Sequence, residues 1–119
     1  MNILLLISAC LILLTKYLDC ITTLQRISSP YQERNRLARA MMLRWGIRPV
    51  IWGVMGMAVI ILAVSVCLLL TVFTAPVFWV TFAIWAVVIS LFQGAVAFEN
   101  YTGKANPITR IIRKFSLYN

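Results

Sequence analysis

The chain has 119 residues, of which 62% are hydrophobic and 12% charged, with a net charge of +8. A soluble domain carries roughly 45–50% apolar and about 25% charged residues, and disordered chains are less apolar still, so both classes are excluded. With no histidine and three widely spaced cysteines, zinc sites, disulfide frameworks and histidine catalysis have no support either.

The first apolar run is uncharged from Ile3 to Leu14 and continues through Thr15, Lys16, Asp19, Thr22 and Thr23 to Leu24. Twelve apolar residues are too few to cross a bilayer, whereas 3–24 suffice. The spacing therefore predicts a first span over 3–24 that carries Lys16 and Asp19 within the hydrocarbon. Ile7-Ser8-Ala9-Cys10 has the look of a lipoprotein cleavage box. The apolar stretch before it is too short and lacks a basic leader, so an uncleaved helix is expected.

A basic stretch follows. Ser29-Pro30-Tyr31-Gln32 has the form of a capping box with Pro at the first helical position and Glu33 in the first turn. Leu37, Met41 and Trp45 recur at helical spacing, Arg34, Arg36, Arg39 and Arg44 take the other side, and Gly46 is a natural stop. The expectation is one amphipathic helix over 30–45, lying in the headgroup plane or docked on the spans.

Residues 50–73 and 77–98 are uncharged and separated by Thr74-Ala75-Pro76. So short a connection predicts an antiparallel hairpin of spans. Gly53, Gly56, Ile60, Ala63 and Cys67 form a small-residue face on one, and Ala86, Ser90 and Gly94 on the other. Such faces allow close helix approach, so one of them is expected to close the hairpin. Trp52 and Trp79 fall near span ends, Trp85 falls mid-span, facing lipid first and a pigment or neighbouring subunit as the alternatives, and the cysteines read as small apolar fillers. The tail predicts a short amphipathic helix over 107–116, with Ile108, Ile111, Ile112 and Phe115 opposed by Arg110, Arg113 and Lys114.

Six arginines lie between 25 and 48, and four basic residues follow Phe98. The N-terminus and the 74–76 turn carry none. With three spans, the positive-inside rule puts the N-terminus outside and the C-terminus in the cytoplasm. The basic residues then serve topology and anionic headgroups of the cytoplasmic leaflet, through Arg34, Arg36, Arg39, Arg44, Arg110, Arg113 and Lys114, and not nucleic acid.

This topology brings all three acids, Asp19, Glu33 and Glu99, to one depth. An ionised Asp19 inside the hydrocarbon must face protein. A stripe of Thr15, Asp19, Thr22 or Thr23 and Arg26 is matched by Ser90, Gln93, Ala97 and Asn100 on the third span. The two stripes are expected to meet, with Asp19 bonded to threonine hydroxyls, Asn100 or an arginine. The cluster Asp19, Thr22, Thr23, Glu33, Asn35, Gln93, Glu99 and Asn100 reads either as a polar lock fixing helix register or as an ion or substrate site.

Leu18-Asp19-Cys20-Ile21-Thr22-Thr23-Leu24 followed by Glu33-Arg34-Asn35-Arg36-Leu37 resembles a Leu-Asp-x-x-x-Thr-Leu … Glu-x-Asn-Pro-Leu pattern. That pattern marks a family of small prokaryotic three-to-four-helix membrane proteins of uncharacterised function. The resemblance implies that Asp19, Thr23, Glu33 and Asn35 occupy the family positions, and it implies no activity. Arg36 stands where the family has Pro, which would hold the preceding residue extended; the capping box at Ser29 instead predicts helix through Asn35.

These observations lead to an all-α, single-domain membrane protein of the prokaryotic cytoplasmic membrane. Nothing in the chain supplies a recognisable nucleophile or cofactor site, and no dedicated metal-ligand motif is present. The functional expectation is a non-catalytic accessory or scaffolding subunit, partnered by other membrane subunits or by itself. The alternatives are a holin-like homo-oligomeric pore, a small transporter using Asp19, Gln93 and Asn100, or an enzyme acting on lipid headgroups.

Overall fold

The computed structural model describes residues 2–33, 35–104 and 106–112, the side chains of Asn2 and Ile112 excepted. Arg34, Arg113, Lys114 and the predicted helix beyond 112 lie outside the described residues.

The described residues form five α-helices and one 3-10 turn, with no strand. Three helices are long and apolar enough to cross a membrane: α1 (Asn2–Arg26), α3 (Ile47–Thr71) and α4 (Pro76–Thr102). At about 1.5 Å per residue each exceeds a hydrocarbon core of about 30 Å. The helix α3 starts earlier than the uncharged run because Arg48 and Pro49 fit its first turn, where proline's missing N–H is not needed. The helix α4 runs on through Glu99 and Asn100, then stops at Gly103, whose left-handed backbone (φ 75°) lets its N–H reach the Glu99 carbonyl at 2.7 Å.

The basic segment is not one helix. The capping box forms at Ser29 and Gln32, but it opens only a 3-10 turn, Pro30–Gln32. Glu33 is extended (φ −73°, ψ 130°), so it does not sit in a first turn. A separate helix, α2 (Arg36–Trp45), begins at Asn35, whose side chain accepts from the Leu37 and Ala38 N–H groups. Asn35 is itself extended (φ −77°, ψ 119°) and Arg36 takes the first helical position, which also accommodates proline. The stronger local signal lay at Asn35, and the earlier capping box competed with it. Met42 on α2 is the residue that becomes buried, in a cluster with Cys20, Ile27, Val50 and Ile51. Leu37 and Trp45, on the expected apolar face, make little contact with the rest of the protein and remain exposed.

The long helices form a layer with α1 in the middle. Along α1, Leu5, Ser8, Thr15, Asp19 and Thr22 recur at spacings that keep one face, and α4 answers with Ala86, Ser90, Gln93, Ala97 and Asn100. Leu5 is 2% exposed and Ala86 1%. Thr15–Gln93 and Thr22–Asn100 are both pairs 78 residues apart, so α1 and α4 run parallel in constant register. On its other side α1 meets the first turns of α3, where Cys20 packs by the Ile51 carbonyl and the Tyr17 and Trp52 rings lie 6.4 Å apart.

The expected closed hairpin is absent. The helices α3 and α4 scarcely touch along their lengths. They are tied at their connection, where the Trp79 indole donates to the Leu69 and Phe73 carbonyls (2.8 and 3.2 Å) and the Phe73 and Phe78 rings meet edge to face. Those carbonyls end α3 and lack helical partners, so Trp79 acts as a cap across the turn. A side chain at Gly53, Gly56 or Gly94 would meet nothing within 4 Å, so none of the three is a close-packing point. The small residues that do pack, Ala86, Ser90 and Ala97, face α1. Cys10 and Cys67 are exposed, and of the three cysteines only Cys20 fills protein space.

After Gly103 the chain turns back along α4. Asn106 and Thr109 cap α5 (Pro107–Ile112) reciprocally, each side chain accepting from the other's backbone N–H, and the Asn106 amide donates to the Ala95 carbonyl at 2.8 Å.

Candidate functional site

Where α1 ends and α3 begins, all five helices and the 33–35 link converge on a cavity of about 270 Å³. Lys16, Asp19, Thr23 and Arg26 come from α1, Glu33 and Asn35 from the link, and Glu99 and Asn100 from α4. Thr109 of α5 closes one side, and Leu37, Ala38, Met41, Val54 and Val96 supply apolar wall. All three acids of the chain thus line one space.

The polar groups are organised in pairs. The Lys16 ammonium lies 3.3 Å from Asp19 Oδ2, one helical turn away. Thr23 donates to the Asp19 carbonyl at 2.7 Å and lies 3.5 Å from Asp19 Oδ1, the outer edge of a hydrogen bond. Arg26 is 3.8 Å from Glu33 Oε1 and donates to the Gln32 carbonyl at 3.0 Å. Glu33 Oε1 also accepts the Asn35 N–H at 3.1 Å, so one carboxylate binds the end of α1 to the start of α2. Glu99 is 4% exposed and Thr109 3%. Among the described residues, no three histidine, cysteine or acidic side chains are grouped to hold a metal ion.

Asn100 bridges α4 to α1. Thr22 and Thr23 each have one hydroxyl hydrogen, donated to the carbonyls of Leu18 and Asp19, so their oxygens are left to accept from the Asn100 amide at 3.3 and 3.0 Å. Hydrogen bonds between membrane helices contribute about 0.6 kcal/mol on average and up to about 1.7. Asn100→Ala removes two and is expected to cost about 1 kcal/mol, read as unfolding free energy in mixed detergent micelles. An unchanged value would show that the bridge carries no stability.

The expected stripes do meet, with differences in partner. The Asp19 carboxylate pairs with Lys16, while Thr23 donates to the Asp19 backbone carbonyl; Asn100 goes to the threonines. Gln93 accepts from Thr15 at 2.7 Å and is not part of the cavity wall, and Thr22 stands behind that wall. Of the other predicted residues, Asp19, Thr23, Glu33, Asn35, Glu99 and Asn100 come together. Thr109 was not anticipated; the Asn106-Pro107-Ile108-Thr109 run carries a capping signal that points to it.

Among the predicted headgroup arginines, Arg36, Arg44 and Arg110 are exposed, with Arg44 5.1 Å above the Trp45 ring. Arg39 differs. It turns partly inward, and its Nε and Nη2 are buried with no hydrogen-bond partner.

Comparison with protein-family models, with curated proteins and with solved structures gave no match.

Proposed function

We propose that the chain is a non-catalytic integral membrane protein that serves as an accessory or scaffolding subunit of a larger assembly. The observation that carries this reading is the open layer: α1 packs on α4 along its length and on α3 only at the first turns of α3, and all three long helices leave most of their surfaces without protein contact. The small-residue face of α3, with Gly53, Gly56, Ile60, Ala63 and Cys67, is exposed throughout. In lipid such a face favours another helix, because close backbone approach replaces loose acyl contact. The ten-to-zero split of basic residues supports an N-terminus outside and a cytoplasmic C-terminus, with Arg36, Arg44 and Arg110 at anionic headgroups. The family resemblance favours the cytoplasmic membrane of a prokaryote.

The test is extraction in mild detergent, followed by mass determination and identification of copurifying chains. The expected particle is heavier than one 13.5 kDa chain and its detergent. Gly56→Leu, at a position where a Cβ would meet nothing within 4 Å, is expected to release a folded monomer. A wild-type monomer with no companion chain refutes the reading.

The cavity favours a second reading, a small transporter. A pure lock has no need of a 270 Å³ space walled by every helix. Asp19 and Asn100 then bind substrate, and Gln93 serves only the α1–α4 contact.

A further inference from the structure

A second hollow lies apart from the polar cavity, on the outer surface of α4. It is a groove of about 560 Å³ between α4 and the returning tail. Leu91, Gly94 and Phe98 form one wall, and Pro107 and Ile108 the other. Its walls are almost wholly apolar. The Asn106 amide at its edge is already committed to the Ala95 carbonyl and the cap of α5. The floor is open at Gly94 because glycine has no side chain there; a Cβ would meet nothing within 4 Å.

We propose that this groove is a binding site for one anionic phospholipid, with an acyl chain laid against Gly94 and the headgroup phosphate on Arg110. The groove follows the half of α4 that ends beside the basic segments, so the medium outside it is hydrocarbon grading into headgroups. A lining that is almost wholly apolar, with the buried Ser90 hydroxyl as its polar exception, disfavours polar solutes and favours an acyl chain. Arg110 is exposed and lies three residues beyond Pro107, one turn further along the short helix whose start walls the groove. Lys104, also exposed, stands in the loop that leads to it. A cation at the mouth of an apolar slot complements an anionic headgroup above its own acyl chain. The inference rests on membrane insertion and not on the subunit role, so a monomer with its lipid retained would refute only the latter.

The experiment uses the full chain in mixed micelles with phosphatidylglycerol or phosphatidylcholine, and native mass spectrometry to count bound lipid. Wild type is expected to retain one phosphatidylglycerol in preference to phosphatidylcholine. Gly94→Leu fills the floor and is expected to lower retention of both lipids about tenfold at unchanged helix content. Arg110→Gln, outside the spans, is expected to keep lipid but lose the headgroup preference. Equal retention of the two lipids by wild type overturns the proposal, as does Gly94→Leu with wild-type retention. So does a photo-cross-linker at Leu91 that captures a protein in membranes instead of lipid.

Discussion

Asp19→Ala is expected to cost the folded protein about 3 kcal/mol, the largest loss from any single truncation in the polar layer. The change deletes the carboxylate 3.3 Å from the Lys16 ammonium and leaves that cation on a span, with both side chains less than one-fifth exposed. Breaking a buried pair costs about 3–5 kcal/mol, and a lone lysine at the centre of a membrane helix about 2.5–3.5. The lower part of that range applies because the pair borders a cavity and the lysine stem can reach toward headgroups. The desolvation argument also predicts recovery: Lys16→Leu with Asp19→Leu removes both charges and should regain most of the loss. The measurement is reversible unfolding in mixed micelles. A single variant within 1 kcal/mol of wild type would mean the pair is effectively solvated. A double variant that recovers stability while proteoliposome flux disappears would move the balance toward the transporter reading.

Gly46→Ala is expected to cost about 2–3 kcal/mol. Gly46 joins α2 to α3 with a single non-helical residue, at φ 93° and ψ 164°. That region is essentially closed to residues with a side chain, and occupying it costs about 1–3 kcal/mol. Space is not the obstacle, since a Cβ there would lie 3.6 Å from Pro49 Cδ, an ordinary contact. The backbone alone carries the penalty. If it relaxes instead, α2 swings away from α3 and Met42 leaves its cluster with Cys20, Val50 and Ile51. Unfolding in micelles measures the first outcome, and thiol labelling of the buried Cys20 the second. Gly56→Ala provides the contrast: it sits inside a helix with open space around it, and a change there should be nearly neutral.

The second and third spans were legible because uncharged runs of more than twenty residues leave little choice, and the first because its apolar run reaches bilayer length only through Lys16 and Asp19; the predicted limits fall within a few residues of the observed helices. The α1–α4 stripes were legible for a related reason. Threonine, glutamine and asparagine are rare enough in these helices for their spacing to stand out. The partner choice within the stripes was not, because Asp19, Asn100 and two threonines lie within reach of each other and a small difference in rotamer decides the pairing. The hairpin failed for a different reason. A three-residue connection fixes which helices are neighbours in sequence and says nothing about whether they pack, and α1, distant in the chain, supplied the better face. The 30–45 helix failed through competition between two capping signals, at Ser29 and Asn35, of which only the second continues into a helix. Thr109 went unnoticed because a lone threonine in a tail has no periodicity to mark it.

The central position of α1 has a consequence for biogenesis. Its partner in register, α4, lies 77–78 residues away at the matched pairs, so the ribosome must deliver two further long helices before Thr15, Thr22 and Thr23 find their mates. Domains and spans are made from the N-terminus onward. During that interval the polar line of α1 is unmatched, and on the proposed membrane reading its lateral release into lipid is disfavoured until α4 arrives.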